Sequence, residues 1–283
     1  MKTAAIISKP AKNELIETLP RLVAWLKARN YRVIMDQQTS VYGVCEEVFP
    51  RYELGYENPT LAIVLGGDGT LLSAARAVSR QDVPILAVNL GSLGFLTEVP
   101  LQALFETLES IDEGSCPVEA RSVLETVLRR GEEVLKRYYA LNDVVVGKTA
   151  LARLISFNLH VDGVFVYTCR ADALIVSTPT GSTAYSLAAG GPVVVPSAEA
   201  FVISPVSPHS LTHRPLVLND KVTIQIQLSP GEEGYLSIDG QVGFPITPGE
   251  VIECRRAQHD VKLFRRSGSY FEVLHDKLKW GER

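Results

Sequence analysis

Leu61-Ala62-Ile63-Val64-Leu65-Gly66-Gly67-Asp68-Gly69-Thr70-Leu71-Leu72 is the stretch whose reading decides the fold. The unbroken apolar run Leu61–Leu65 reads as a strand buried on both faces, as in a parallel sheet covered by helices. Glycines close it, and residues 71–78 read as a helix. Working outward, residues 4–8 and 31–35 are strand-like. Residues 13–29 carry Leu15, Ile16, Leu19, Leu22, Val23 and Leu26 at helical spacing. Residues 83–89 read as a fourth strand and 101–111 as an amphipathic helix. Strands alternating with helices predict a doubly wound, Rossmann-like α/β domain over residues 1–115.

The character changes near Gly114-Ser115-Cys116-Pro117. Residues 116–265 break into short β-branched runs separated by turn signals. Arg130-Gly131-Glu132 turns a hairpin between 123–129 and 134–140, and Asp162-Gly163 is a strong hairpin signal between two alternating runs. Residues 173–176, 222–228, 235–238, 251–254 and 261–264 are further strand candidates. A second, mostly β domain is expected there. The tail, residues 266–283, has a helix-like pattern and is expected to pack back on the α/β domain.

The 283 residues are 46% hydrophobic and 21% charged, which excludes a disordered chain. Lys+Arg is 28 against Asp+Glu 32, a net charge of −4, so a nucleic-acid partner is disfavoured. The four cysteines, Cys45, Cys116, Cys169 and Cys254, form no CxxC pair, and the expectation is reduced thiols in a cytoplasmic protein. The N-terminal apolar stretch is too short for a signal peptide, and no run approaches a membrane span.

Three segments carry chemistry. Glycines 66, 67 and 69 let a backbone approach a phosphate, and the helix start beyond them offers N–H donors. Asp68 in such a nest repels phosphate, so its presence points to a base for a hydroxyl, a metal contact or both; the alternative is a tight turn capped by Asp. Gly91-Ser92-Leu93-Gly94 is a second strand-end loop, structural or ligand-binding. Thr178–Ser186 packs hydroxyls, a tyrosine and a glycine into nine positions, suited to a sugar or base, or to an N-capped helix. Asn142-Asp143 precedes a strand and either reads a nucleotide or closes a turn. Arg170 and Asp172 flank Ala171 in a strand-like run, so both should face one side, by default as a surface ion pair. Walker A, HExxH and GxSxG motifs are absent, and the histidines have no metal-ligand spacing.

Over nearly its full length the chain resembles the bacterial NAD kinases. The resemblance rests on LGGDGT at 65–70, NLGSLGFLTE at 89–98, Asn142-Asp143, TPTGSTAYSLAAGGP at 178–192, SPHSLTHRPLV at 207–217 and SIDGQ at 237–241. The glycine-Asp loop alone is shared with phosphofructokinases and lipid kinases; the Thr178–Ser186 segment is far more specific. The resemblance implies ATP-dependent phosphorylation of the 2′-hydroxyl of the adenosine ribose of NAD, giving NADP. It implies a divalent metal, usually Mg²⁺, NAD and ATP as partners, and a homodimer or homotetramer. By the same resemblance Asp68 is the general base, and Gly67 and Gly69 are the phosphate cradle. Asn142 and Asp143 contact the dinucleotide, residues Thr183, Ala184, Tyr185, Ser186, Leu187 and Ala188 hold an adenosine, and Phe95 lines that pocket. Arg153, Arg170, Asp172 and Gln241 fall at further nucleotide contacts, while no protein metal ligand is implied. Two departures stand out: Asp143 where many members carry Glu, and Ser73 where some carry a basic residue. A lipid kinase would want a basic amphipathic helix, which the chain lacks; a non-catalytic dinucleotide sensor would have no use for Asp68.

Overall fold

The computed structural model describes residues 1–45, 47–91, 94–148, 154–210, 212–265 and 270–279. The chain divides into two compact units, residues 1–120 with 259–283, and residues 121–258.

In the first unit, strands β1 (Lys2–Ser8), β2 (Tyr31–Asp36), β3 (Val48–Phe49), β4 (Leu61–Gly66), β5 (Ile85–Asn89), β6 (Val99–Pro100) and β7 (Val118–Arg121) share one sheet with Val261–Phe264. The order is β3-β2-β1-β4-β5, then Val261–Phe264 and β7, with β6 also on β5. All pairs from β3 to β5 are parallel. The order reverses between β1 and β4, so the carboxyl end of β4 lies at the topological switch point where such sheets bind ligands. The whole of β4 is buried, as an apolar run on both faces demands.

Helices α1 (Glu14–Ala28), α2 (Asp68–Val78) and α3 (Leu104–Asp112) accompany the sheet. Leu15, Leu19, Leu22, Val23 and Leu26 of α1 are buried, each contributing about 1.5–3 kcal/mol of hydrophobic stabilisation. Ile16, expected in that stripe, is 61% exposed. It lies roughly 100° around the helix from Leu15, past the edge of the apolar face. Helix α2 starts three residues before the apolar run that announced it, so Asp68 sits in its first turn. Among the described residues no helix is long and apolar enough to cross a membrane.

The second unit is two six-stranded antiparallel sheets. Its strands are β8 (Leu124–Arg130), β9 (Glu133–Ala140), β10 (Asp143–Gly147), β11 (Ile155–Val161), β12 (Val164–Ala171), β13 (Ala173–Ser177), β14 (Ala200–Val206), β15 (Leu216–Asn219), β16 (Ile224–Leu228), β17 (Gly234–Ile238), β18 (Val242–Ile246) and β19 (Glu250–Arg256). The orders are β15-β14-β13-β10-β17-β18 and β12-β11-β16-β19-β8-β9. Leu128, Phe157, Leu159 and Ile252 from one sheet meet Val144, Leu174, Phe201 and Leu236 from the other in a common core. The short helix α4 (Tyr185–Ala188) lies between β13 and β14 in sequence. Both expected hairpins form, with Gly131 (φ 56°), Asp162 (φ 50°) and Gly163 (φ 77°) supplying the left-handed turn backbone.

Two assignments differ from the sequence reading. The run 261–264 is a strand, β20, but it pairs in parallel with β5 in the sheet of the first unit. Its alternation, with Val261 and Leu263 buried and Lys262 on the other face, does not say which sheet it joins. Arg170 and Asp172 do not form one strand face, because the chain leaves one sheet at Ala171 and enters the other at Ala173. Asp172 pairs instead with Lys148. The tail helix α5 (Tyr270–Leu278) belongs to the first unit.

Candidate active site

In the first unit, β4 passes into α2 through Gly67 alone. The Gly67 carbonyl accepts the N–H groups of Thr70 (2.9 Å) and Leu71 (3.1 Å), closing the first turn. Asp68 projects from that turn to the loop after β5. Its Oδ1 accepts hydrogen bonds from Leu96 N–H (3.2 Å), Thr97 N–H (3.0 Å) and Thr97 Oγ1 (3.0 Å), and its Oδ2 accepts one from Phe95 N–H (2.9 Å). A carboxylate has about four lone-pair sites, two on each oxygen. Oδ1 is saturated by these donors, and among the described residues Oδ2 receives a single donor, leaving it one lone pair. Gly94 makes room for this arrangement: a Cβ there would lie 2.8 Å from the Asp68 Cγ. Gly94 of the second loop thus serves Asp68.

Ser73, one and a half turns along α2, accepts a hydrogen bond from Arg51 Nη1 (2.9 Å), whose Nε donates to Asp36 (2.7 Å). A guanidinium therefore stands beside Ser73.

In the second unit, Asn142 and Asp143 open β10 beside two adjoining chambers. One, of about 420 Å³, is lined by Asn142, Asp143, Ala184, Tyr185, Ser237 and Asp239. The other, of about 400 Å³, is lined by Lys148, Asp172, Tyr185, Val206, Tyr235 and Ser237. Both sizes fall in the range of small-molecule sites. Tyr185, 45% exposed, borders both.

The start of β10 is clasped from two sides. From one side, Thr178 N–H donates to the Asn142 carbonyl (2.9 Å), and Thr178 Oγ1 donates to the Leu141 carbonyl (2.5 Å). Gly181 N–H donates to Thr178 Oγ1 (3.1 Å), and a Cβ on Gly181 would lie 2.6 Å from the Asn142 Cα. From the other side, Asp239 accepts backbone N–H groups of residues 141–143. Asp143 is 4% exposed. Burial above all, and then the Asp239 charge, push its carboxyl up to about 7, against a backbone hydrogen bond from Tyr185.

The structure distributes the expected site residues unevenly. Asp68 and Phe95 meet through a hydrogen bond. Asn142, Asp143, Ala184 and Tyr185 share one chamber, and Asp172 lines the other. Gly67 and Gly69 are exposed at the start of α2. Many hydroxyls of the Thr178–Ser186 segment face the fold. Ser182 Oγ donates to the Pro179 carbonyl (2.6 Å), Thr183 Oγ1 to the Thr180 carbonyl (3.3 Å), and Ser186 Oγ bonds Ser204 Oγ (2.9 Å) in full burial. Leu187 is half-buried and Ala188 exposed on α4; Arg170 is exposed on β12. Gln241 is exposed and closes the β17–β18 turn with its N–H on the Ile238 carbonyl (3.0 Å). Arg153 lies outside the described residues.

Lys148, Ser237 and Asp239 line the chambers without having been singled out as single residues. For Asp239 the Asp-Gly dipeptide between two strand-like runs signals a turn. Nothing local says that its carboxylate reaches back 97 residues to Asn142.

Residues 56–116 match the model of the ATP-NAD kinase N-terminal domain, and residues 141–266 that of the ATP-NAD kinase C-terminal domain. The chain is 55% identical over its full length to the whole of an NAD kinase from Koribacter versatilis. It is 48% identical, again over both full chains, to one from Acidobacterium capsulatum. Among solved structures, an NAD kinase from Archaeoglobus fulgidus in complex with ATP is 28% identical, with TM-score 0.76 and 98% of each chain covered. The yeast NADH kinase complexed with NADH shares the fold with TM-score 0.89 at 24% identity, covering 100% of this chain and 89% of that one.

Proposed function

The chain belongs to the NAD kinase family, and from that premise we propose how its own residues carry the reaction. The acceptor is the 2′-hydroxyl of the adenosine ribose of NAD, ATP gives its terminal phosphoryl group, and the products are NADP and ADP. Asp68 is the general base. The observation that supports this role is the carboxylate fixed by four donors with one lone pair left on Oδ2. That lone pair takes the hydroxyl proton as the oxygen attacks phosphorus. Phosphoryl transfer depends on such positioning and on charge stabilisation more than on covalent help.

Gly67 and Gly69 form the phosphate cradle at the start of α2, where the helix dipole favours an anion. Gly67 has an ordinary φ of −104°, and a Cβ on it would meet no atom of the described residues within 4 Å. The fold itself therefore tolerates a side chain there, and the bare backbone serves a ligand. Gly67→Ala is expected to melt with the parent protein but to raise the KM for ATP several-fold. An unchanged KM would remove Gly67 from the donor site.

Asn142 and Asp143 hold the dinucleotide, with Thr183, Ala184, Tyr185, Ser186, Leu187 and Ala188 forming the adenosine-binding segment. Ala184 and the exposed Tyr185 ring meet the nucleotide; Ser186 acts through its bond to Ser204. Phe95, Arg170, Asp172 and Gln241 are further nucleotide contacts. Among the described residues no three His, Cys, Asp or Glu side chains cluster to hold a metal. A Mg²⁺ ion would be held chiefly by the ATP phosphates and its own waters, since magnesium keeps waters and needs few carboxylates. Once bound it offsets phosphate charge.

The four free cysteines support a reducing, cytoplasmic setting. A homodimer or homotetramer is supported by β12, an edge strand with Val164, Phe165 and Val166 exposed. The deciding experiment incubates the protein with NAD, ATP and Mg²⁺ and assays NADP with an NADP-specific dehydrogenase, with a metal-free arm alongside. NADP formed only with metal is the expected result. NAD binding without NADP would favour a sensor or another phosphoryl acceptor.

A further inference from the structure

Asp239 has no part in the reaction as proposed, yet it controls the segment that does. It is 7% exposed and sits after β17 with φ 50°, a left-handed backbone that Asp and Asn tolerate better than other side chains. With Gly240 (φ 63°) it makes a tight turn back into β18. Asp239 Oδ1 accepts the N–H groups of Asn142 (2.8 Å) and Asp143 (3.2 Å), and Oδ2 accepts that of Leu141 (3.2 Å). Its own N–H donates to the Asp143 carbonyl (2.9 Å). One carboxylate thus satisfies three consecutive backbone donors where β10 begins. Buried donors need acceptors, but a neutral acceptor would meet that need. A carboxylate adds a second negative charge beside Asp143.

We propose that Asp239 is a positioning residue for the acceptor nucleotide: its grip on residues 141–143 sets how Asn142 and Asp143 face the chamber. The inference rests on the reading of Asn142 and Asp143 as acceptor contacts. Among the described residues, three elements bring groups to Asp143. β13 places Ser177 opposite it, the β17–β18 turn places Asp239, and α4 places Tyr185, whose backbone bonds its carboxylate. Burial and the Asp239 charge together bring Asp143 to about 7. A carboxyl raised in this way is protonated below that pH and then accepts a ribose hydroxyl poorly. kcat/KM for NAD therefore falls as pH drops through about 7. Removing the Asp239 charge lowers the Asp143 value, so that fall moves to more acid pH.

The test uses the full-length enzyme and two substitutions that suit a left-handed backbone, Asp239→Asn and Asp239→Gly. KM for NAD, KM for ATP, kcat and Tm are measured across pH, with Asp143→Asn and Asn142→Ala alongside. Both Asp239 variants are expected to raise the KM for NAD about tenfold or more, as a displaced contact does. KM for ATP should stay near its parent value, and the acid limb should shift to lower pH. Asp143→Asn should abolish that limb. A merely structural role would lower Tm, disturb both KM values together and leave the limb in place, and that result overturns the proposal. An unchanged KM for NAD and an unmoved limb overturn it as well. If Asn142→Ala and Asp143→Asn leave the KM for NAD untouched, the reading of those two residues fails instead.

Discussion

Asp68→Asn yields a folded protein that binds NAD and loses about 100- to 10,000-fold in turnover, the usual worth of a general base. That is about 3–5 kcal/mol of barrier. The geometry explains why the nearly isosteric amide does not suffice. Its oxygen can take the place of Oδ1 and keep the bonds from Leu96 and Thr97. Its NH₂ then replaces Oδ2, the oxygen with the free lone pair, and faces the Phe95 N–H as donor against donor. The base is lost, and one backbone donor loses its partner at a cost of about 1–3 kcal/mol. Turnover and NAD affinity must be measured on the same preparation. Low turnover with intact NAD binding identifies the base. Lowered melting temperature with turnover within a few-fold of the parent would make Asp68 an anchor for the 95–97 loop and remove it from the chemistry.

Gly181→Ala is expected to disable the acceptor side more thoroughly than its single methyl suggests. The new Cβ would overlap the Asn142 carbonyl and lie 2.6 Å from the Asn142 Cα. Both are backbone atoms, so no flexible side chain can swing aside. Either the 178–181 turn or the start of β10 must shift, and the bonds from Thr178 to the Leu141 and Asn142 carbonyls stretch with it. Overpacking of this kind costs about 1–3 kcal/mol of stability. A displacement of about 1 Å at a substrate contact costs on the order of 100-fold in rate. The expected result is a lower melting temperature together with a KM for NAD raised at least tenfold, while KM for ATP changes little. A variant with parent kinetics and parent stability would show that this segment does not hold Asn142.

Much of this was legible in residues 61–72 alone. A run apolar on both faces followed by glycines and a helix has few readings other than a parallel strand feeding a helix start. The β-rich second half was equally legible from its turns, because Asp162-Gly163 and Gly131 announce hairpins through local backbone preference. Within the site, Asp68 and the Asn142-Asp143 pair stood out because a carboxylate in a glycine loop and an amide beside an acid are chemically conspicuous. The hydroxyl-rich segment was harder to read. Its serines and threonines look alike in sequence, yet Ser182 and Ser186 are buried in the fold, while Ala184 and Tyr185 line a chamber.

The sequence by itself determined the two classes of layer, the place of the glycine-Asp loop and the family, since strand runs, helical stripes, turns and motifs are properties of neighbouring residues. Only the tertiary structure decided that Val261–Phe264 joins the parallel sheet, that Asp172 pairs with Lys148, and that Asp68 and Asp239 each grip a distant loop through its N–H groups. Those partners lie from 24 positions apart, for Lys148 and Asp172, to 178, for Ile85 and Leu263. Which polar group a buried donor finds depends on strand register and on which segments compete for the same space, and no local pattern carries that information.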